Sequence, residues 1–132
     1  ATASKGTALA SSDVYQCLSI PAESVILHAG MEVTEILTGT SSDVGYDLGI
    51  TGGDVDNFVD GFDADGAAAG AYAPTSAAYA PVMVGAADTL DILVAAQTGT
   101  TLTGKIRVFA TLMDVSDAGD MAANEVDRDT LA

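Results

Sequence analysis

Between Val25 and Val33 apolar side chains recur at every second position: Val25, Leu27, Ala29, Met31 and Val33 on one side, His28, Glu32 and Thr34 on the other. That period belongs to a β-strand with one face on a core, because successive strand side chains point to opposite faces. The same alternation places Val14, Gln16, Leu18 and Ile20 together, then Val44, Tyr46, Leu48 and Ile50, then Leu90, Ile92 and Val94. Over residues 103–115 it turns Ile106, Val108, Ala110 and Leu112 inward and Lys105, Arg107, Phe109, Thr111 and Met113 outward. A further strand is expected from Tyr79 to Val84. Helical character is weak and confined to the region around Met121 to Asp127. Six to eight short strands without strand–helix alternation predict an all-β fold, a single antiparallel β-sandwich of jelly-roll-like type.

Turn signals divide these runs. Pro21 ends the first, since proline has no N–H for a ladder. The phase breaks at Glu35, where a bulge or strand end is expected. Thr38-Gly39-Thr40-Ser41 and Thr98-Gly99-Thr100 read as hairpin loops, pairing each flanking strand with its sequence neighbour. Residues 51–77 are rich in Gly, Asp and Ala, with Phe58, Val59, Phe62 and Tyr72 as their large apolar anchors. A connection this long is unusual in a compact domain and is often functional. The organisation is therefore an extended N-terminal arm at 1–12, one domain at 13–115 carrying the 51–77 loop, and an acidic C-terminal tail at 116–132.

Composition narrows the function. Leu, Ile, Val and Phe supply 31 of 132 residues, so the core is thin. Such a core favours added stabilisation by oligomerisation. Nineteen acidic residues against four cations give a net charge of −15. Nucleic acid and anionic membrane are excluded as main partners, because both need clustered Lys and Arg. The acidity suits either a saline habitat or simply a well-solvated surface. No window reaches the roughly 18 apolar residues of a membrane span. The first six residues lack the apolar stretch of a secretory signal, and a start at Ala suits an intracellular product trimmed of its initiator Met.

The chemistry-bearing residues are few. Cys17 is the single cysteine, set in an apolar strand where a buried, inert thiol is expected. His28 is the single histidine and lies mid-strand, so no nucleophile–base pair is indicated. A Gly-x-Ser-x-Gly elbow is lacking, and one His with one Cys cannot complete a zinc site. No catalytic residue, cofactor or enzymatic activity is expected. Asp54, Asp56, Asp60, Asp63 and Asp65 offer hard oxygen ligands for Ca²⁺. Their spacing fails the EF-hand template, with Phe58 and Val59 at positions that need an oxygen and a glycine. A solvated loop whose Asp residues set turns is the alternative. Lys105, Arg107 and Phe109 on the outward row, with Phe58 and Phe62 in the loop, are candidate subunit or partner contacts. The cations could equally pair with Asp91 on a neighbouring strand.

Leu18-Ser19-Ile20-Pro21-Ala22, Asp43-Val44-Gly45-Tyr46-Asp47-Leu48-Gly49, Phe58-Val59-Asp60-Gly61-Phe62-Asp63, Asp88-Thr89-Leu90-Asp91-Ile92 and Lys105-Ile106-Arg107-Val108-Phe109-Ala110 follow one another in an order that resembles small virion structural proteins of tailed bacteriophages. The resemblance spans about residues 13–115 and is greatest to the capsid decoration, or cement, proteins of marine and cyanobacterial phages. It implies a non-enzymatic sandwich, often a homotrimer, made in the host cytoplasm and located on the virion capsid surface. There it would bind the major capsid protein and bridge its subunits. Other virion parts, such as a head fibre or tail component, and a calcium-dependent or carbohydrate-binding module are the alternatives.

Overall fold

The computed structural model describes residues 8–50, 52–76 and 80–116. Strands hold 62% of the described residues and no helix occurs among them. In chain order they are β1 (Val14–Ile20), β2 (Ser24–Gly39), β3 (Asp43–Gly49), β4 (Val59–Asp63), β5 (Tyr72–Ala73), β6 (Val82–Val84), β7 (Asp88–Thr98) and β8 (Thr101–Asp114). They form two antiparallel sheets packed face to face, a β-sandwich. Sheet I has the order β1-β7-β3-β4. In sheet II, β2 pairs with β8 along one edge and with β6 and β5 in turn along the other.

The two Thr-Gly-Thr loops do not close hairpins. Each carries the chain from one sheet to the other, and the two crossings run side by side. Gly39 pairs with Thr101 at the end of sheet II, and Asp43 pairs with Thr98 at the start of sheet I. Between them Thr40 N donates to Thr100 O at 2.8 Å and Ser42 N to Thr98 O at 3.1 Å. One continuous two-stranded ribbon, β2–β3 against β7–β8, therefore bends across the sandwich. Glycine is required at the bend. Gly39 and Gly99 have φ of 147° and 80°. A Cβ on Gly39 would lie 2.0 Å from Thr100 O, and one on Gly99 2.3 Å from Thr40 O. The hairpin expectation had the turns in the right places and the wrong partners.

Inside, Ile20, Ile26, Ala29, Met31, Val33, Val44, Tyr46, Leu48, Phe58, Leu90, Ile92 and Val94 form the buried core. Two bulges shift the expected phase. In β2 the register slips between Ile26 and His28, so Ile26 enters the core and Leu27 is exposed, while Ala29, Met31 and Val33 stay inward as expected. In β1 the slip falls between Gln16 and Leu18. Val14 is consequently exposed, and Tyr15 and Cys17 pack on the core beside Leu18 and Ile20. Further irregularities surround Glu35, yet β2 continues to Gly39. In β8, Ile106, Val108 and Ala110 pack inward as expected, whereas Leu112 is exposed.

The 51–77 segment is less irregular than its composition suggests, since it contains β4 and β5. Thr75 joins the gap between β5 and β6. Its hydroxyl accepts from Ala29 N at 2.9 Å and donates to Ala29 O. Gly70 N and Ala71 O then engage the backbone of Val33. The described end of the expected N-terminal arm is tied to the domain. Leu9 packs against the core, and Ser12 N donates to Val94 O at 2.8 Å. The expected start of a strand at Tyr79 and the helical character near Met121 to Asp127 lie outside the described residues.

Two outcomes follow from this packing. Phe58 is fully buried and among the largest core side chains. Phe58→Ala should lower unfolding free energy by roughly 3–5 kcal/mol, through lost transfer energy and a residual cavity, read as a lower urea midpoint at unchanged slope. Burial first, and the neighbouring Tyr15 second, push the Tyr46 phenol up to about 12. Its folded pKa lies above its unfolded value, so its stabilising contribution is complete below pH 10 and is lost as pH rises through 12. Tyrosinate absorbance during alkaline titration should therefore lose a late component in Tyr46→Phe.

Candidate interaction surface

The bulge at Leu27 is what builds the outer face of sheet II. Val25 points outward before it and His28 after it, since Ile26 and Ala29 on either side are buried. The outer row of β2 is then Val25, His28, Gly30, Glu32 and Thr34. Val25 faces Met83 of β6 and Met113 of β8, which are 56% and 46% exposed. Gly30 faces Phe109.

Phe109 lies over the site where a Gly30 side chain would stand. A Cβ there would sit 2.7 Å from Phe109 Cζ and 2.6 Å from Ala73 O. On either side of the ring, His28 and Tyr72 stack with centroids 6.0 and 5.9 Å away and interplanar angles of 21° and 18°. Such offset pairs contribute about 0.5–1.5 kcal/mol each beyond area burial. A strand-interior glycine marks a place of close approach, and Gly30 was the one signal that could have located this stack. Tyr72 was out of reach because β5 is two residues long.

Beyond the aromatics the face becomes ionic. Arg107 Nη1 lies 3.3 Å from Glu32 Oε2, and Lys105 Nζ pairs with Glu35. The cations do not meet Asp91, which is buried in sheet I. The expected outward row of Lys105, Arg107, Phe109, Thr111 and Met113 is brought together here. The two loop aromatics are not part of it. Phe58 is in the core, and Phe62 is half-buried against that core.

The acidic residues are spread out, and several are bonded to backbone amides. Asp63 Oδ1 accepts from Asp65 N at 3.0 Å, and Asp65 Oδ1 accepts from the Ser41 hydroxyl at 3.3 Å. Asp47, buried within β3, accepts from Gly61 N at 2.8 Å where β4 turns through a positive φ. Asp13, Asp88 and Asp114 likewise accept from nearby N–H groups. These are turn-setting roles. Asp54 and Asp56 share a hydrogen bond, and this raises the Asp56 pKa, with smaller contributions from desolvation and from Asp60. Among the described residues no three His, Cys, Asp or Glu side chains gather as a metal would need. Cys17 donates its thiol to Tyr15 O at 3.2 Å, and burial pushes its pKa up. A shallow depression is lined by Gln16, Ser19, Ile20, Pro21, Ala87, Asp88 and Thr89, where Asp88 Oδ1 accepts from Thr89 N at 2.8 Å.

Compared with family models, curated proteins and solved structures, the chain matches none.

Gly30→Ala tests the stack. The new methyl group can push the Phe109 ring aside, but it also meets the main chain of β5. Stability should fall by about 1–3 kcal/mol, the usual cost of overpacking, with an altered near-ultraviolet tyrosine dichroism from Tyr72.

Proposed function

We propose that this chain is a non-enzymatic virion structural protein, a decoration or cement protein that binds the outside of a phage capsid. In this reading it assembles as a homotrimer and bridges neighbouring major capsid protein subunits. The observation that carries the reading is the contrast between its surfaces. Among the described residues, an acidic β-sandwich gathers Met83, Met113, Tyr72 and Phe109 on the outer face of one sheet. That is the surface of a protein that touches other proteins.

The rest of the molecule agrees with a role in contact. His28 stacks on Phe109, burial pushes the Cys17 thiol pKa up, and Asp47 and Asp63 accept from main-chain amides. The strand and turn segments that resemble phage decoration proteins fall on β1, β3, β4, β7 and β8 of one sandwich. Binding across a junction stabilises a shell because the ligand favours the assembled state over the separated one. Three linked copies would multiply that effect through raised effective concentration.

The test uses heads of the encoding phage stripped of this protein. Purified chain added to them should sediment with the shells at a fixed stoichiometry and raise their temperature of disruption. Deleting residues 1–7, which precede the core contact of Leu9, should lower occupancy while leaving the fold intact. Shells that bind none of the full chain would end the reading; unchanged occupancy after the deletion would remove the arm from the contact.

A further inference from the structure

The bent ribbon has four limbs, and three have their outer edges covered. In sheet I, β7 is flanked by β1 and β3 by β4. In sheet II, the free edge of β2 is taken by β6, then the Thr75 hydroxyl, then β5 and the main chain of residues 70–71. The fourth limb, β8, pairs with β2 alone among the described strands. It runs 14 residues, Thr101–Asp114, against 7 for β1 and 5 for β4, the two edges of sheet I. An edge of that length offers a row of main-chain donors and acceptors to any strand that approaches.

The face beside this edge is where large apolar side chains are exposed. Of the eight large hydrophobic residues left exposed among the described ones, Leu27, Ile36, Tyr72, Met83, Leu112 and Met113 belong to the strands of sheet II, and Val14 and Val55 lie elsewhere. Charge selects the same region. The strands of sheet II carry Lys105 and Arg107 against Glu32, Glu35 and Asp114, a net of −1. The other described residues carry eleven carboxylates and no Lys or Arg. Two copies of so acidic a chain repel one another least where their surfaces are nearly neutral.

We infer that the β8 edge and the adjoining outer face of sheet II form the seat of a second copy of this chain. A strand from the neighbour would extend sheet II beyond β8, and Met83, Met113 and Phe109 would be covered in the same contact. This deepens the functional reading above, since it names the surface through which the proposed oligomer is built and leaves other surfaces for the shell.

The experiment is native mass spectrometry and light scattering on the full chain, wild type and two surface variants. Met83→Glu with Met113→Glu charges the proposed contact; Val14→Glu with Val55→Glu charges exposed sites away from it. Wild type should be a closed oligomer, of three copies on the reading above. The first variant should be a 13.2 kDa monomer with an unchanged far-ultraviolet spectrum, and the second should remain an oligomer. Hydrogen exchange provides the second measurement. Amides of β8 should be protected in the wild type and exchange at least tenfold faster in the Met83/Met113 variant. A monomeric wild type, or an oligomer that survives the Met83/Met113 change with β8 protection intact, overturns the inference. Capsid sedimentation of the same samples separates the two claims: an oligomer that ignores shells defeats the decoration role alone, and a monomer that binds them defeats the contact proposed here and the trimer while leaving shell binding standing.

Discussion

The sandwich depends on one antiparallel ribbon passing through a corner without losing its hydrogen bonds. β2 and β8 run together in sheet II, and their continuations β3 and β7 run together in sheet I. Sheets that pack at a corner need residues that tolerate a sharp change of direction, and glycine is the usual means. Here both strands turn at a glycine, and each glycine packs against the main chain of the opposite loop. Because the ribbon is continuous, the two sheets are one covalent and hydrogen-bonded object, and the remaining strands attach to its sides. Five of the seven connections cross between sheets, which ties the layers together although large core side chains are scarce.

The outer faces of the two sheets have opposite characters. On sheet I, the segment after β3 folds back so closely that a Cβ on Gly49 would lie 2.2 Å from Asp54 O. Asp47 and Asp91 are buried on that side, with Asp47 bonded to the Gly61 amide. The chain covers part of this face with itself. Among the described residues no segment folds over sheet II in this way, and its exposed apolar residues and aromatic stack stand at the surface. Ion pairs at Glu32–Arg107 and Glu35–Lys105 edge the patch; exposed pairs of this kind contribute about 0.2–1 kcal/mol, so they orient side chains more than they stabilise.

Strand periodicity made the fold class legible, along with the positions of β3, β7 and β8 and the inward set Val44, Tyr46, Leu48, Leu90, Ile92 and Val94. It could not reveal partners. A Thr-Gly-Thr turn is compatible with a hairpin and with a sheet-to-sheet corner, and only the long-range pairing of residues 24–49 with 88–114 decides between them. Bulges were similarly hidden. An inserted residue at Leu27 leaves a plausible alternation on both sides while reversing which side faces the core. Of the site, the row from Lys105 to Met113 was readable as an outer face, whereas its pairing with Glu32 and Glu35 was not. Phe58 looked like a loop aromatic available for contact because nothing local announces that Phe58 N will bond to Leu48 O and draw the ring inside.

The ribbon also sets the order in which the molecule can come into being. Ser24 pairs with Asp114 across 90 intervening steps of chain, so neither half of the ribbon can form from its own local sequence. Domains dominated by such distant pairings fold slowly, on the order of milliseconds to seconds. During synthesis at roughly 5–20 residues per second, β2 must wait several seconds for β8 to be made. In that interval Met31, Val33 and Leu37 have no partner strand on one side. A net charge of −15 opposes association between neighbouring nascent chains during that wait.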